Sequence, residues 1–471
     1  MVVGDIVSEV DVLVIGGGLA GYTAAIRAAQ LGKEVTLIER GKLGGVCLNE
    51  GCIPSKALLT ASQRFYQIKE AEHMGVRVRG GMELDFPAMQ KWKNSIITQL
   101  QQGVAKLLKE NHVTVVKGEA FFSAENEVRV TSEYRSEGFR FNHCIIATGS
   151  SVKRPESFPR HSSLITYAEA LHLQEVPERF LVLGGGYIGI ELATAYRKLG
   201  SEVIIVSTED RLLPDFDVSL ARMVARRLKK LGIEICLQAR DLQLMEDGDR
   251  IKACARINEE VKEWRCDKVM FDEERLPNTD QLGLDFANVK TDGEGFILVD
   301  EQQRTSNPNI YAAGDVVGKP MLAHKGCYEG KIAAEAIAGK TTGNDATVIP
   351  RIIYGDPEVV SVGWTQDQAK RMGYEVAVGR FPFGASGRAL TLDEKEGFVQ
   401  IVADQRTKTV LGIHMVGTNV SELAASAVYA IEMRMTVEDI ALSVHAHPTL
   451  SEGLLEAAES ALGIAIHVVN K

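Results

Sequence analysis

A chain of 471 residues, 45% hydrophobic and 25% charged, has room for about three domains at ~150 residues each. Its 53 Lys and Arg against 63 Asp and Glu give a net charge of −10, which argues against a nucleic-acid surface, and no apolar stretch reaches the ~18 residues of a membrane span. Seven thinly spread cysteines do not make a secreted disulfide framework, and the acidic start MVVGDIVSEV carries no targeting signal, so a cytoplasmic protein is expected.

The first element, VLVIGGGLAGYTAAIRAAQLGKEVTLIER (Val12–Arg40), reads as an apolar strand, a glycine turn, an amphipathic helix ending near Leu-Gly, and a second apolar strand. Gly16, Gly18 and Gly21 fit G-x-G-x-x-G, in which the glycines allow the tight turn, the approach of a pyrophosphate and close helix–strand packing. Glu39 ends the second strand, where the fingerprint asks for an acid to hold ribose hydroxyls.

Next comes GGVCLNEGCIPSK (Gly44–Lys56). Cys47 and Cys52 have three readings: a zinc site, although no second pair at ligand spacing follows; two inert buried thiols; or a redox disulfide, which a turn or helix over four intervening residues permits. Pro54 suits a first helical turn, so the motif is expected to enter a helix, whose N-terminus and Lys56 favour thiolate over thiol. CIIATGSS (Cys144–Ser151) reads as a buried strand ending in a small-residue turn, followed by the linker KRPESFPRH.

FLVLGGGYIGIELATAYRKLGSEVIIVST (Phe180–Thr208) then repeats the first element without a gap, with Gly184, Gly186 and Gly189 in register and Ser207 where Glu39 stood. One glycine match would be weak, but two in full strand–helix–strand context specify two dinucleotide folds. NPNIYAAGDVVG brings Asp315 to the end of a further strand. Beyond Gly343 the pattern changes to an antiparallel hairpin in GFVQIVADQRTKTVLGIHMVG and helices at Ser421–Met435 and Leu450–Ala461. The fold class is therefore α/β, with two Rossmann-like domains and a C-terminal α+β domain. The expected boundaries are 1–149, 150–275, a return to the first domain over 276–346, and 347–471.

In VIGGGLAGYTAA, GGVCLNEGCIPSK, ATGS, VLGGGYIGIE, NIYAAGD, LAHK and HAHPTLSE, and in their order, the chain resembles the flavin-dependent pyridine nucleotide–disulfide oxidoreductases. Within them it is most similar to the dihydrolipoamide dehydrogenases, over nearly its whole length. Glutathione reductases usually carry lysine at the place of Ser55, and mercuric reductases a cysteine pair near the C-terminus, which here reads IAIHVVNK. The resemblance implies a Cys47–Cys52 redox disulfide. It implies FAD over Gly16, Gly18 and Gly21 with its ribose on Glu39, and with Ala120, Gly149, Asp315 and the backbone near Ala323 in contact. Lys56 would lie beside the flavin and pair with Glu191. NAD would lie over Gly184, Gly186 and Gly189 with Ser207 at its ribose.

His447 would be the base that activates the dithiol substrate, oriented by Glu452, with His445 outside the machinery. The C-terminal domain would dimerise and carry His447 to the cysteines of the partner subunit. The implied partners are a second copy of the chain and a lipoyl-bearing acyltransferase of a 2-oxoacid or acetoin-type dehydrogenase complex; no metal, nucleic acid or membrane is expected. Two alternatives stand beside this: a flavin disulfide reductase for another thiol, and a partner-binding paralogue with impaired nicotinamide turnover. The second rests on two departures. Ser207 replaces the acid, and in VMFDEERLPN Glu274, after Asp272 and Glu273, takes the place of a family glycine, setting an anion beside an anionic dinucleotide. Weak nicotinamide binding is the expectation.

Overall fold

In the computed structural model, which describes residues 7–133, 135–271 and 275–470, the chain forms two compact units. One comprises Met1–Ala57, Pro87–Pro155 and Glu273–Asp345; the other comprises Leu58–Phe86, Glu156–Asp272 and Ala346–Lys471.

The first unit is built on a seven-stranded sheet. Val7–Ile15 lies between Val35–Glu39 and Ser136–Ile146, parallel to both, with Ile15 paired to Ile38 and Ile146. Val12, Leu13 and Val14 are wholly buried, as a parallel strand covered on both faces requires. The Leu19–Gln30 helix covers one face through Ala24, Ala25 and Ala28. It can lie so close because a Cβ added at Gly21 would stand 1.8 Å from the Gly16 carbonyl oxygen. Ile310–Ala312 adds a parallel strand beside Ser136–Ile146 and Thr114–Lys117 another beside Val35–Glu39, while Glu119–Ala124 and Glu127–Thr131 complete the sheet antiparallel. The strand expected from Cys144 onward starts earlier, at Ser136, and ends at Ile146. Its first half alternates, with Phe139 and Phe141 buried between exposed Arg140 and Asn142, so it lacks the apolar run that marks its second half.

The second unit carries a parallel sheet in the order Glu234–Cys236, Glu202–Val206, Arg179–Leu183, Lys268–Phe271, Leu164–Thr166. Its C-terminal part is a five-stranded antiparallel sheet in which Phe398–Asp404 pairs with Val410–Gly417, the expected hairpin. The helices Ala424–Glu432 and Glu452–Leu462 pack their apolar faces on it through Ala427, Ile431, Leu454 and Ala458. A further helix, Val437–Leu442, went unread although Thr436 and Asp439 form a reciprocal capping box that announces it.

A buried ion cluster pins the Tyr354–Asp356 segment to two helices. The Asp356 carboxylate accepts from Lys198 Nζ at 2.6 Å and from Arg227 Nε and Nη2 at 2.9 and 3.0 Å. Burial opposes ionisation of Asp356, but Lys198 and Arg227 outweigh it and hold the carboxyl below the usual range. Its contribution to stability is therefore complete above the unfolded pKa of about 4 and is lost as pH falls through the lower folded value. Asp356→Ala leaves two cations buried without their carboxylate and is expected to cost about 3–5 kcal/mol. Chemical denaturation of the parent and variant checks this, and an unchanged midpoint would contradict it.

Candidate active site

The first glycine turn sits at the ends of Val7–Ile15 and Val35–Glu39. Gly16 has φ +106°, and a Cβ there would lie 2.3 Å from the Ala147 carbonyl oxygen, so only glycine fits both the backbone and the space. Gly18 caps the following helix without any side-chain hydrogen bond, which leaves the helix N-terminus free of competing side chains. The Glu39 carboxylate accepts from the Gly17 and Gly41 amides, both at 2.6 Å. Gly16, Glu39 and Ala120 line one cavity of about 320 Å³ with Thr148, Asn278 and their neighbours. Thr148 Oγ1 donates to the Asn278 carbonyl at 2.9 Å, and Asn278 Nδ2 returns a bond to the Thr148 carbonyl at 2.8 Å. The Gly149 carbonyl accepts from the Asn278 amide at 3.0 Å, fixing the wall that ATGS begins.

Asp315 follows Ile310–Ala312. Its carboxylate accepts from Ser150 Oγ at 2.6 Å and lies 3.5 Å from Arg275 Nη2, while Arg275 Nε also bonds Ser150 Oγ at 2.9 Å. The Gly314 amide donates to Glu329, which pairs with Lys325 of LAHK at 2.8 Å. Burial pushes the Glu329 carboxyl up, against the pull of Lys325. Ser150, Arg275, Asn278 and Glu329 escaped the sequence reading, although the i,i+4 spacing of Lys325 and Glu329 on the Ala323–Ile337 helix was a usable signal.

The Gly44 amide donates to the Gly17 carbonyl at 2.8 Å, which ties the cysteine segment to the glycine turn. Cys47 lies in the short Gly45–Asn49 helix, and Cys52 opens the Cys52–Glu70 helix. Asn49 Nδ2 bonds the carbonyls of Leu43 and Gly45 at 3.1 and 2.8 Å, closing the loop between the two thiols and the glycines. No disulfide joins the two cysteines, whose side chains are in hydrogen-bond contact with each other. That contact, then burial, pushes the Cys47 thiol up, with Lys56 pulling the other way and Asp315 adding to the rise. Cys47, Cys52, Lys56 and Asp315 thus form one electrostatic group in the first unit.

In the second unit His447 Nδ1 bonds Glu452 Oε1 at 2.8 Å, and Glu452 Oε2 accepts from the Thr449 amide at 2.8 Å. Burial resists ionisation of Glu452, but the Thr449 amide and His447 hold its carboxyl below the usual range. The bond at Nδ1 directs the imidazole's lone pair to Nε2, the tautomer a general base needs, and the side chain is 79% exposed. His445 instead bonds the Ser443 carbonyl at 2.9 Å through Nδ1. Glu191 is buried on the Tyr187–Leu199 helix and accepts from the Tyr354 amide at 2.9 Å. Gly184 has φ +117°, Gly186 caps that helix with no side-chain bond, and Gly189 is buried within it. Ser207 directly follows Glu202–Val206 and is buried. Glu274, with Asp272 and Glu273, lies outside the described residues. Among the described residues no group of three or more His, Cys, Asp or Glu is placed to hold a metal ion, and no helix is long and apolar enough to cross a membrane.

The sequence model of the pyridine nucleotide-disulphide oxidoreductase family matches residues 10–330, and that of its dimerisation domain residues 349–458. The chain is 46% identical over 471 residues to the dihydrolipoyl dehydrogenase of Geobacillus stearothermophilus and 45% over 470 residues to that of Bacillus subtilis (strain 168), each covering 100% of both chains. It is 43% identical over 477 residues to the dihydrolipoyl dehydrogenase of Haloferax volcanii, again covering 100% of both. Among solved structures, LpdA of Mycobacterium tuberculosis superposes with a TM-score of 0.88 at 24% identity, covering 96% of this chain and 99% of that one. The HOCl-induced flavoprotein disulfide reductase RclA of Escherichia coli superposes with a TM-score of 0.86 at 24% identity, covering 95% and 99%; at that identity both speak for the fold. With its glycine turns, paired thiols and His–Glu pair in place, the chain belongs to the pyridine nucleotide-disulphide oxidoreductase family.

Proposed function

We propose that this protein is a dihydrolipoyl dehydrogenase, a homodimer that oxidises dihydrolipoamide carried by a lipoyl-bearing acyltransferase of a 2-oxoacid or acetoin-type complex and passes the electrons through FAD to NAD. The observation that carries it is the pair of thiols Cys47 and Cys52, in contact with each other at the start of a helix beside the glycine turn. Full-length identity to curated dihydrolipoyl dehydrogenases selects the substrate. The free, buried thiols of Cys144, Cys236, Cys254 and Cys266 suit a reducing cytoplasm.

The cavity residues fit FAD. Glycine at position 16 is enforced by the Ala147 carbonyl, the helix end beyond Gly18 is uncapped, and Glu39 has carboxylate lone pairs left for ribose hydroxyls. Gly16, Gly18, Gly21, Glu39, Ala120, Gly149, Asp315, Lys56 and the backbone at Ala323 would hold it. Bound FAD supplies the two-electron chemistry that links dithiol to nicotinamide.

The chain's own residues perform the dithiol exchange. His447 of the partner subunit takes a proton at Nε2 from one thiol of dihydrolipoamide. The thiolate attacks Cys47 Sγ, breaks the Cys47–Cys52 bond and releases Cys52 as thiolate. The second substrate thiol closes on the substrate sulfur of the mixed disulfide. Cys47 then leaves carrying that thiol's proton, and lipoamide departs as the cyclic disulfide. Two electrons now rest on the cysteines, one proton on Cys47 and one on His447, whose positive charge Glu452 stabilises.

Steady-state assays of the yellow holoenzyme test the substrate. Dihydrolipoamide with NAD is expected to yield NADH, and glutathione to give no comparable rate. The reverse preference would overturn the assignment.

A further inference from the structure

We propose that the second glycine turn does not discriminate between NAD and NADP, and that Ser207 is the residue responsible. This rests on the reading of Gly184–Gly189 as the nicotinamide-cofactor turn. The two copies of the unit coincide in detail. Gly16 and Gly184 have φ +106° and +117°. Gly18 and Gly186, each capping a helix, have φ and ψ of −70° and −179° and of −76° and 173°. The Gly17 carbonyl accepts from the Gly44 amide at 2.8 Å and the Gly185 carbonyl from the Leu213 amide at 2.9 Å, so in both copies the loop after the second strand folds back on the turn. Glu39, the last residue of its strand, and Ser207, directly after its own, each point at the middle glycine. A Cβ on Gly17 would lie 3.0 Å from Glu39 Oε2, and one on Gly185 would lie 3.2 Å from Ser207 Oγ. Ser207 therefore stands in the place of Glu39 in space as well as in sequence.

What differs is charge. At this place a carboxylate accepts from the adenine ribose hydroxyls and repels a 2′-phosphate, whereas a nearby arginine accommodates the phosphate. Ser207 is 4% exposed and neutral, and its Oγ accepts from the Glu209 amide at 3.2 Å. Its hydroxyl hydrogen can serve a ribose oxygen or a phosphate oxygen alike. The same loop carries Arg211, which donates to the Pro214 carbonyl and whose buried Nε has no hydrogen-bond partner among the described residues. Glu209 and Asp210 are exposed and screened by solvent, yet they keep the loop from becoming a dedicated phosphate site. The selectivity is erased and not reversed.

Calorimetric titration of the oxidised, flavin-loaded protein with NAD and with NADP reads both dissociation constants while no electrons move. The two constants are expected to agree within about tenfold, and Ser207→Glu is expected to shift their ratio toward NAD by ~10²-fold, the scale of one gained charge-assisted bond and one like-charge contact. Ser207→Ala should keep the ratio within tenfold, which separates charge from packing. A larger parent preference for NAD, a Ser207→Glu ratio equal to the parent's, or no binding of either nucleotide would overturn the proposal. Reduction of the bound flavin by dihydrolipoamide in the absence of nucleotide is a separate readout. Its failure in the parent would refute the dithiol function and leave the nucleotide ratio standing.

Discussion

Cys52→Ser abolishes the long-wavelength absorbance that two-electron reduction of the holoenzyme develops, whereas Cys47→Ser displays it with no reductant added; both variants lose turnover with dihydrolipoamide entirely. The expectation follows from the division of labour between the two thiols. In the proposed exchange Cys47, in its own short helix, meets the substrate, and Cys52, at the first position of the long helix, leaves as thiolate. A helix N-terminus favours that charge. Alkylation of the reduced protein should mark Cys47, the thiol that meets the substrate, ahead of Cys52, with access outweighing thiolate character, read by peptide mass mapping. Visible spectra that are the same in the parent and both variants would remove the redox role from this pair.

His447→Gln slows reduction by dihydrolipoamide ~10²–10⁴-fold, the usual weight of a positioned general base, while flavin content and dimer mass stay unchanged. Glutamine keeps the bulk and can still bond Glu452, but it cannot accept a proton. Glu452→Gln retains the base and removes only the carboxylate that orients the ring at 2.8 Å, so a smaller loss is expected. Stopped-flow reduction rates check both, and parent-like reduction in His447→Gln would place the base elsewhere.

The parts of this molecule that repeat or punctuate were legible before any coordinates. Two glycine turns in register made the two Rossmann-like folds readable, and the alignment that set Ser207 against Glu39 holds to the level of which atom faces which glycine. Pro54 foretold a helix start near the cysteines, and the helix begins at Cys52. Contacts made by folding alone stayed hidden. Ser150 and Asp315 are 165 residues apart, and Arg227 and Asp356 are 129 apart; a buried carboxylate that gathers two cations leaves no local pattern. The Val437–Leu442 helix shows the opposite case, since its capping box spans only Thr436 to Asp439 but its six residues are too few for an apolar period. The half of the nicotinamide expectation that rests on Glu274 lies outside the described residues, so Ser207 alone carries the structural argument there.

The most direct measurement is an anaerobic titration of the oxidised holoenzyme with dihydrolipoamide, with no nucleotide present, followed by the visible spectrum and by trapping of free thiols with an alkylating agent. One equivalent per flavin is expected to produce the long-wavelength absorbance and to convert Cys47 and Cys52, unreactive before titration, into a pair of which Cys47 alkylates first. A flavin that is reduced while both cysteines remain unlabelled, or a spectrum that dihydrolipoamide leaves unchanged, would contradict the account.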